Sequence, residues 1–513
     1  MVDWQQWTLL LMMVGIAWRL TRYFIDFPFW QDEAKRAINL LHRPILDMSP
    51  PFLYDQLQPA LFAAATQILR LVFSSGEWVF RLIPLLAGSA ALILFYRFAR
   101  QLLEPLAVAT AIGLLAISHV TVQYATEFKP YAVDLLMAVV YLMLGWKILQ
   151  RPERFRYFVG LVVLMPLSIG FSYPSLFLIA TVTIVVLPTI MKKTPLGGKC
   201  LFLLANLLAL SAFVWILHET NSSQFHKTNA VMVNNWWQRS FPPANPLQFL
   251  VWVFQVHLGA MSAYPVKAYN LCAFLMCILA LLGVYRLIRE KKASLLALML
   301  LPYLFTFIAA CLRKYPYGGE SRVAQHLLPG FLLLAGMGLS VTANLGSKRF
   351  GAARAVWATH LVFVTFLALA IYGIGHDFAK PYYYDPLDVT AREVAASLPQ
   401  KVPANAVLYA PQVEGLNPSW AWYLTIYHPA FQFASTPTIS PENSMPAKFS
   451  ASPFLELYVP TADPPIITDE AALAASGWQR SLVVEFGNIS GDKHHAYRLY
   501  MWRNTGGTTS QAP

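Results

Sequence analysis

The chain is 513 residues long, and 57% of its residues are hydrophobic while only 12% are charged. A soluble domain carries roughly twice that charged fraction, so the composition excludes a soluble enzyme, a disordered chain, a collagen and a disulfide scaffold. The 38 basic and 26 acidic residues give a formal net charge of +12. The basic residues are scattered between apolar runs. This pattern indicates loops beside a membrane and does not indicate nucleic-acid binding.

Eleven stretches are long and apolar enough, or nearly so, to cross a bilayer as helices. We expect these spans at 5–24, 80–97, 105–121, 130–148, 157–170, 174–190, 200–217, 268–287, 294–312, 323–342 and 355–374. No small-residue cleavage motif follows the first stretch, so we expect it to be retained. Short loops rich in Lys and Arg, such as 147–156 and 286–292, place the N-terminus in the cytoplasm and the C-terminus outside.

The composition changes near Gly375, after which the chain is Pro-rich and no longer strongly apolar. Residues 387–398 predict an amphipathic helix, and 406–410 and 481–486 predict strands. The fold class is therefore an all-α polytopic membrane bundle with a small C-terminal α/β domain outside the membrane. We predict a membrane domain at 1–375, with long outside loops at about 25–79 and 218–266, and a soluble domain at 376–513.

The first outside loop begins with a pair of carboxylates, Asp32 and Glu33, at the start of an amphipathic helix. The helix is indicated by apolar residues at helical spacing, namely Ala34, Ala37, Ile38 and Leu41. The pair can simply favour the positive end of the helix dipole. The alternative is a catalytic base that points into a cleft at the membrane surface. A second helix should begin near Pro59.

Charged residues also lie at the outside ends of later spans. Glu127 and Lys129 precede Pro130, and free N–H groups at that helix start would favour an anion such as phosphate. A weak surface ion pair is the alternative for these two residues. Asp134 lies about one turn into the membrane, where a carboxylate is costly and so indicates either a function or a structural hydrogen bond.

The loop between spans nine and ten carries Arg313, Lys314 and Arg322 together with Gly318 and Gly319. Three cations in a short outside loop indicate a phosphate grip by Arg322 or Arg313, with lipid-headgroup binding as the alternative. In the loop 218–266, Trp236 and Trp237 are either interfacial anchors or part of a substrate lid.

In their order and topology, these motifs resemble the GT-C superfamily of integral-membrane glycosyltransferases. The similar branch contains bacterial proteins related to dolichyl-phosphate-mannose protein mannosyltransferases and to the lipid A aminoarabinose transferase. The resemblance covers about residues 5–345. It is carried by Trp30-Gln31-Asp32-Glu33-Ala34, Gln58-Pro59-Ala60-Leu61-Phe62, Glu77 to Leu82, Glu127 to Ala132 and Tyr315 to Arg322.

The resemblance implies transfer of a sugar from a polyprenyl-phosphate carrier to a glycolipid, polysaccharide or protein at the outer face of a bacterial cell membrane. Asp32 would be the catalytic base, supported by Glu33. Lys129, Arg322 and Arg313 would bind the donor phosphate, because the leaving group is a lipid phosphate. We assign six further polar residues in or near these motifs to substrate binding, namely Glu127, Tyr131, Asp55, Gln58, Tyr315 and Glu320.

The chain departs from its relatives at two positions. Lys129 stands where they often have Arg, which keeps the charge but loses the two-pronged contact. Gln58-Pro59-Ala60 stands where they often have His-Pro-Pro, so the acceptor class is open. A divalent cation, Mg²⁺ or Mn²⁺, is the one cofactor left open, with Asp32, Asp55 and Glu127 as candidate ligands.

Two other classes of protein compete with the enzyme. A lipid or polysaccharide transporter or flippase usually has internal repeats and charges at mid-membrane, and neither pattern stands out in this sequence. A membrane assembly subunit would bind partners through its outer domain and would not need Asp32 for activity. A lipid-phosphate hydrolase is disfavoured because no paired His-Arg signature is present.

Overall fold

The computed structural model describes residues 3–41, 43–45, 54, 56–220, 229–259, 261–266, 270–379, 386–401, 407–409, 418–427, 454–458, 474–475, 477–486 and 497–504. The chain divides into two compact units. The membrane unit comprises Met1–Asp26, Ile45–Pro50 and Leu57–Ala379, and the second unit comprises Phe27–Pro44, Pro51–Gln56 and Lys380–Pro513. The division groups a segment of the first loop with the C-terminal residues. The domain boundary predicted at residue 375 stays a prediction.

Helices dominate the described residues of both units. Their bounds are α1 (Trp4–Ile25), α2 (Gln31–Leu41), α3 (Ala60–Val72), α4 (Glu77–Leu102), α5 (Pro105–Ile117), α6 (His119–Tyr124), α7 (Tyr131–Gln150), α8 (Phe155–Phe171), α9 (Ser175–Lys193), α10 (Leu196–Thr220), α11 (Pro246–His257), α12 (Asn270–Arg289), α13 (Ala293–Cys311), α14 (Leu328–Phe350), α15 (Ala352–Ala379), α16 (Pro386–Lys401) and α17 (Pro418–Tyr427).

A helix lies at each of the eleven predicted spans, namely α1, α4, α5, α7–α10 and α12–α15, but two differ from the prediction. The helix predicted at 105–121 is interrupted, because α5 ends at Ile117 and α6 begins at His119, and the helix predicted at 323–342 begins as α14 only at Leu328. Among the described residues, nine helices are long and apolar enough to cross a membrane, and α5 and α8 are shorter apolar helices. The predicted helix after Pro59 is confirmed as α3. The predicted orientation of the termini stays a prediction.

Proline and asparagine set where some of these helices begin. Pro105 takes the first position of α5 and Pro246 that of α11, where a missing N–H costs nothing. The side chain of Asn245 accepts from the N–H groups of Leu247 and Gln248, and so caps α11. Both residues act at the start of α11, which ends at His257.

Helices α12 and α14 pack closely because each presents a glycine to the backbone of the other. A Cβ at Gly283 would collide with the Leu334 carbonyl, and a Cβ at Gly338 would collide with the Leu279 carbonyl. Small residues at such crossings let helix backbones approach, which is how membrane helices associate without a hydrophobic driving force.

The second unit combines helices with a small sheet of four strands. The strands are β1 (Val407–Tyr409), β2 (Phe454–Tyr458), β3 (Trp478–Phe486) and β4 (Tyr497–Asn504), in the spatial order β1-β2-β4-β3. β1 runs parallel to β2, and the other two pairs are antiparallel. The predicted C-terminal α/β domain is confirmed in class, with its predicted helix as α16.

Candidate active site

Three buried charged residues of the membrane unit lie in the turn between α6 and α7 and in the first turn of α7. Glu127 and Lys129 are each 2% exposed, and Asp134 in the first turn of α7 is 3% exposed. The Gln123 amide donates to the Glu127 carboxylate at 2.8 Å, and the Lys129 N–H donates to the Glu127 carbonyl at 2.7 Å. Charges this deeply buried are costly, and their burial disagrees with the weak surface ion pair considered for Glu127 and Lys129.

The loop after α13 needs both of its glycines. Gly318 and Gly319 have φ of 66° and 71°, in the left-handed region that side chains disfavour. A Cβ on Gly319 would collide with the Ser240 side chain. The Tyr317 N–H donates to the Ser240 carbonyl at 2.9 Å, so the loop is held against the segment that precedes α11.

That contact continues into a small apolar cluster, formed by Val233, Phe241, Trp252, Val256, Met261, Ala310, Tyr317, Ala324 and Leu327. The loop 218–266, predicted as a substrate lid or as interfacial anchors, therefore shares a packed apolar core with the loop after α13. The side chain of Trp252 adds a hydrogen bond at 2.9 Å to the Arg239 carbonyl.

Arg322 brings a cation to this cluster. It lies in the short 3-10 helix Ser321–Ala324, which packs against α6. Its guanidinium carbon lies 5.8 Å from the centroid of the Trp237 ring, within the range of a cation–π contact. Arg322 is partly exposed, whereas Lys129 is buried. Of these two predicted phosphate-binding cations, Arg322 is thus the accessible one.

Tyr124 lies near charged residues of both segments. Its phenol lies within electrostatic range of Glu127, Arg322 and Glu320, and also of Tyr131. Both the turn after α6 and the loop after α13 therefore contribute charge to one region. We call the set Glu127, Lys129, Asp134, Glu320 and Arg322 the charged mouth of the membrane unit.

Tyr315 lies beside the same region. Burial raises the pKa of its phenol well above the ordinary value, and the nearby Asp134 carboxylate raises it further. The phenol is therefore a neutral hydrogen-bonding group at physiological pH, and it donates to the Val323 carbonyl at 3.1 Å. Its ring makes an edge contact with His326, with centroids 5.8 Å apart.

The other predicted residues of the membrane unit lie at different depths. Gln58 is 5% exposed, and its main-chain carbonyl accepts from the Tyr173 hydroxyl at 2.9 Å. The side-chain amide of Gln58 has no hydrogen-bond partner among the described residues. Arg313 is exposed at a φ of 55°, and its carbonyl accepts from the Asn229 amide at 3.3 Å.

The predicted catalytic pair belongs to the second unit, in the first turn of α2. The Asp32 side chain is 26% exposed and lies 3.8 Å from the Lys35 ammonium, whereas Glu33 is 1% exposed. Only Asp32 of this pair therefore presents its carboxylate to solvent. Asp55 lies outside the described residues.

A buried ion pair of the membrane unit is not evident from the sequence. Arg22 near the end of α1 lies 2.7 Å from the Asp377 carboxylate near the end of α15, and it also donates to the Thr126 hydroxyl at 3.1 Å. Thr126 directly precedes Glu127. The sequence does show a cation and a carboxylate at the ends of separate apolar stretches, which could have indicated a buried pair. That pattern does not identify which cation pairs with which carboxylate.

No cluster of three or more His, Cys, Asp or Glu side chains is arranged to hold a metal among the residues that the structure describes. One of the three candidate ligands, Asp55, lies outside those residues. Carboxylates remain suitable ligands for Mg²⁺ or Mn²⁺ by their chemistry. The cation therefore stays a prediction.

Comparisons with known proteins give the fold its context. The family model of dolichyl-phosphate-mannose-protein mannosyltransferases matches residues 57–218. No match comes from curated protein sequences. The solved structure of ArnT from Cupriavidus metallidurans bound to undecaprenyl phosphate is 15% identical, with a TM-score of 0.56 over 99% of each chain.

Two further solved structures are similar. ArnT of the same organism in the apo state is 15% identical, with a TM-score of 0.54 over 97% of this chain and 98% of ArnT. The archaeal oligosaccharyltransferase AglB from Archaeoglobus fulgidus, in complex with an inhibitory peptide and a dolichol-phosphate, is 13% identical. Its TM-score is 0.46, over 83% of this chain and 64% of AglB.

The chain has the GT-C fold. Its resemblance to the branch that includes ArnT and the protein mannosyltransferases is confirmed by the structural match along almost the whole chain and by the family model at 57–218. That fold and the long apolar helices among the described residues make the chain an integral membrane protein.

Proposed function

We propose that the chain is a membrane glycosyltransferase, which moves a sugar from a polyprenyl-phosphate carrier to an acceptor at the outer face of the membrane. The observation that carries the proposal is the likeness to ArnT with bound undecaprenyl phosphate, over 99% of both chains. The mannosyltransferase family match at 57–218 supports the same reaction class, because it contains the Glu127–Lys129 turn.

In this reaction the acceptor hydroxyl gives up its proton and its oxygen attacks the anomeric carbon of the sugar. The bond between that carbon and the phosphate oxygen breaks, and the polyprenyl phosphate leaves with the bonding electrons. Asp32 takes the proton. Its carboxylate is 26% exposed and can reach an acceptor, while the neighbouring Glu33 is buried and supports the helix turn.

The leaving phosphate gains negative charge, so its site needs cations and no strong acid. Arg322 supplies the direct contact, since the residue is partly exposed and a guanidinium can bind two phosphate oxygens at once. Lys129 supplies charge from a buried position in the turn after α6. Arg313 is exposed and provides a further cation on the same loop as the glycine pair.

The polar residues around these cations bind the sugar and the acceptor. We assign this role to Glu127, Tyr131, Gln58, Tyr315 and Glu320, and to Asp55. The neutral phenol of Tyr315 suits sugar hydroxyls, which can both donate and accept hydrogen bonds. The sugar, the acceptor and a role of Mg²⁺ or Mn²⁺ remain to be identified by assay.

The proposal is tested by sugar transfer in proteoliposomes. Wild type, Asp32→Asn and Asp3→Asn are compared with a panel of radiolabelled polyprenyl-phosphate sugars and a membrane extract as acceptor. Asp3→Asn is the matched control, because Asp3 is an exposed cap of α1 and Asn caps a helix equally well. We expect wild type and Asp3→Asn to transfer one sugar of the panel, and Asp32→Asn to lose at least about 100-fold in rate.

Two results would overturn the proposal. If wild type transfers no sugar from any donor while it still binds lipid, a transporter or an assembly subunit becomes the better interpretation. If Asp32→Asn transfers as fast as Asp3→Asn, the base lies elsewhere and the assignment of Asp32 is wrong.

A further inference from the structure

Two side chains of α17 hold both main-chain polar groups of Phe29, a residue of the first loop. The Phe29 N–H donates to the Tyr423 hydroxyl oxygen at 2.7 Å, and the Ser419 hydroxyl donates to the Phe29 carbonyl at 3.1 Å. Ser419 and Tyr423 are four residues apart, so both hydroxyls lie on one face of the helix. One turn of a C-terminal helix thus holds one residue near the start of the chain.

This contact lies in the interior of the second unit. Phe29 and Ser419 are 0% exposed and Tyr423 is 1% exposed. The Phe29 ring also packs against Trp422, with ring centroids 5.2 Å apart. Because water does not reach these groups, loss of either hydroxyl leaves a buried main-chain group without that partner.

The residue that is held lies two positions before the first residue of α2, the helix that carries the proposed base. The Trp30 carbonyl accepts from the N–H of Glu33 at 2.9 Å and from the N–H of Ala34 at 3.0 Å, which starts α2 at the next residue. Asp32 follows Phe29 by three positions. α2 itself packs against α17, so the same helix supports the start and the body of α2.

We propose that Ser419 and Tyr423 are positioning residues that hold the Asp32 carboxylate in its productive orientation. The proposal rests on the proposed transferase function. A general base must lie within hydrogen-bond reach of the proton that it takes, and a displacement of about 1 Å can lower the rate by about 100-fold. The C-terminal domain then takes part in catalysis by supporting the base, in addition to any contact with acceptors.

The test compares Tyr423→Phe with Tyr427→Phe. The control residue lies one turn later on α17 and is partly exposed, so its substitution removes a phenol of the same chemistry without touching Phe29. Transfer rates are expressed per molecule that binds undecaprenyl phosphate, which removes the effect of unfolded protein. We expect Tyr423→Phe to lower kcat by at least about tenfold while KM for the donor changes by less than about twofold. Tyr427→Phe should match wild type.

Ser419→Ala is the second variant, in case Tyr423→Phe does not fold. It leaves a buried carbonyl without its donor, which proteins tolerate better than a buried N–H without its acceptor. We expect the same fall in kcat at unchanged KM. A rise in KM that accompanies the fall in kcat, or a wild-type kcat in both variants, would overturn the positioning role.

The two proposals fail in distinguishable ways. If wild type transfers sugar and Asp32→Asn does not, but Tyr423→Phe and Ser419→Ala behave like Tyr427→Phe, only the positioning role is wrong. If wild type transfers nothing, or Asp32→Asn retains full activity, the proposed function is wrong and the positioning role falls with it.

Discussion

The buried pair of Arg22 and Asp377 gives a sharp test of how charges stabilise this membrane unit. The two side chains are 2.7 Å apart and only 2% and 1% exposed. The Trp18 indole donates to the second oxygen of the same carboxylate at 2.6 Å. The substitution Asp377→Asn keeps the shape of the side chain and removes its charge.

The expected loss in the free energy of unfolding depends on the charge that remains in the interior after the substitution. Removing one partner of a buried ion pair typically costs about 3–5 kcal/mol, because the other charge stays buried without compensation. An amide oxygen can still accept from Arg22 or from Trp18, so we expect the lower end of this range, about 3 kcal/mol. The exposed pair of Arg286 and Glu104 has the same 2.7 Å separation, with 24% and 49% of the two side chains exposed. There Glu104→Gln should cost less than about 1 kcal/mol.

The assay is equilibrium unfolding of the purified protein in mixed micelles, for wild type and the single variants Asp377→Asn, Arg22→Gln and Glu104→Gln. The double variant, Asp377→Asn with Arg22→Gln, should recover part of the loss, since it removes the uncompensated cation. Equal free energies of unfolding for Asp377→Asn and Glu104→Gln would refute the reasoning. A double variant whose loss equals the sum of the two single losses would also refute it, since interacting residues are not additive.

Two further predictions concern the residues around the charged mouth. Arg322→Gln should weaken binding of undecaprenyl phosphate by about tenfold or more in a titration, because a hydrogen bond to a charged group contributes about 1.5–3 kcal/mol. A larger loss of affinity in Arg313→Gln, measured by the same titration, would show that Arg313 is the main phosphate-binding residue. Burial lowers the pKa of His326 to about 3 from its ordinary 6.5, although a backbone hydrogen bond with Val323 opposes the shift. Below about pH 6.5 the unfolded chain therefore takes up a proton that the folded chain does not, and stability should fall by up to about 1.4 kcal/mol per pH unit toward pH 3. His326→Gln should remove this slope from thermal unfolding measured between pH 7 and pH 4, and an unchanged slope would contradict the burial of a neutral imidazole.

The helices of the membrane unit could be predicted because their signal is local. A run of about 20 apolar residues has few alternatives in a membrane, where every main-chain group must be satisfied within the segment. The predictions were least accurate at the ends, as for α10, expected at 200–217 and observed from Leu196 to Thr220. Basic residues and short polar turns continue a helix at a membrane surface as readily as they end it, so hydropathy alone does not fix the terminal residues.

The candidate site was only partly visible in the sequence, because its supports join residues that are far apart in the chain. The motif around Glu127 and Lys129 was recognisable from its neighbours, but its burial was not. Hydropathy places Arg22 in the first predicted span and Asp377 just after the last one, and it says nothing about their pairing across 355 positions. Hydrogen-bond partners of the main chain are even harder to infer, since almost every residue has the same N–H group. Only the fold determines that the Phe29 N–H donates to Tyr423.

These distant supports have a common physical reason. In the proposed reaction, a proton-accepting carboxylate and a cation for the leaving phosphate must be held rigidly, because orientation contributes much of the rate. The residues that touch substrate can be few and can form short motifs. The residues that keep Asp32 and the Glu127 turn in place must come from whatever packs behind them, which here is α17 in the second unit and the ends of α1 and α15 in the membrane unit. Substitutions behind the motifs should therefore change catalysis or stability measurably, although less than the loss of Asp32 itself.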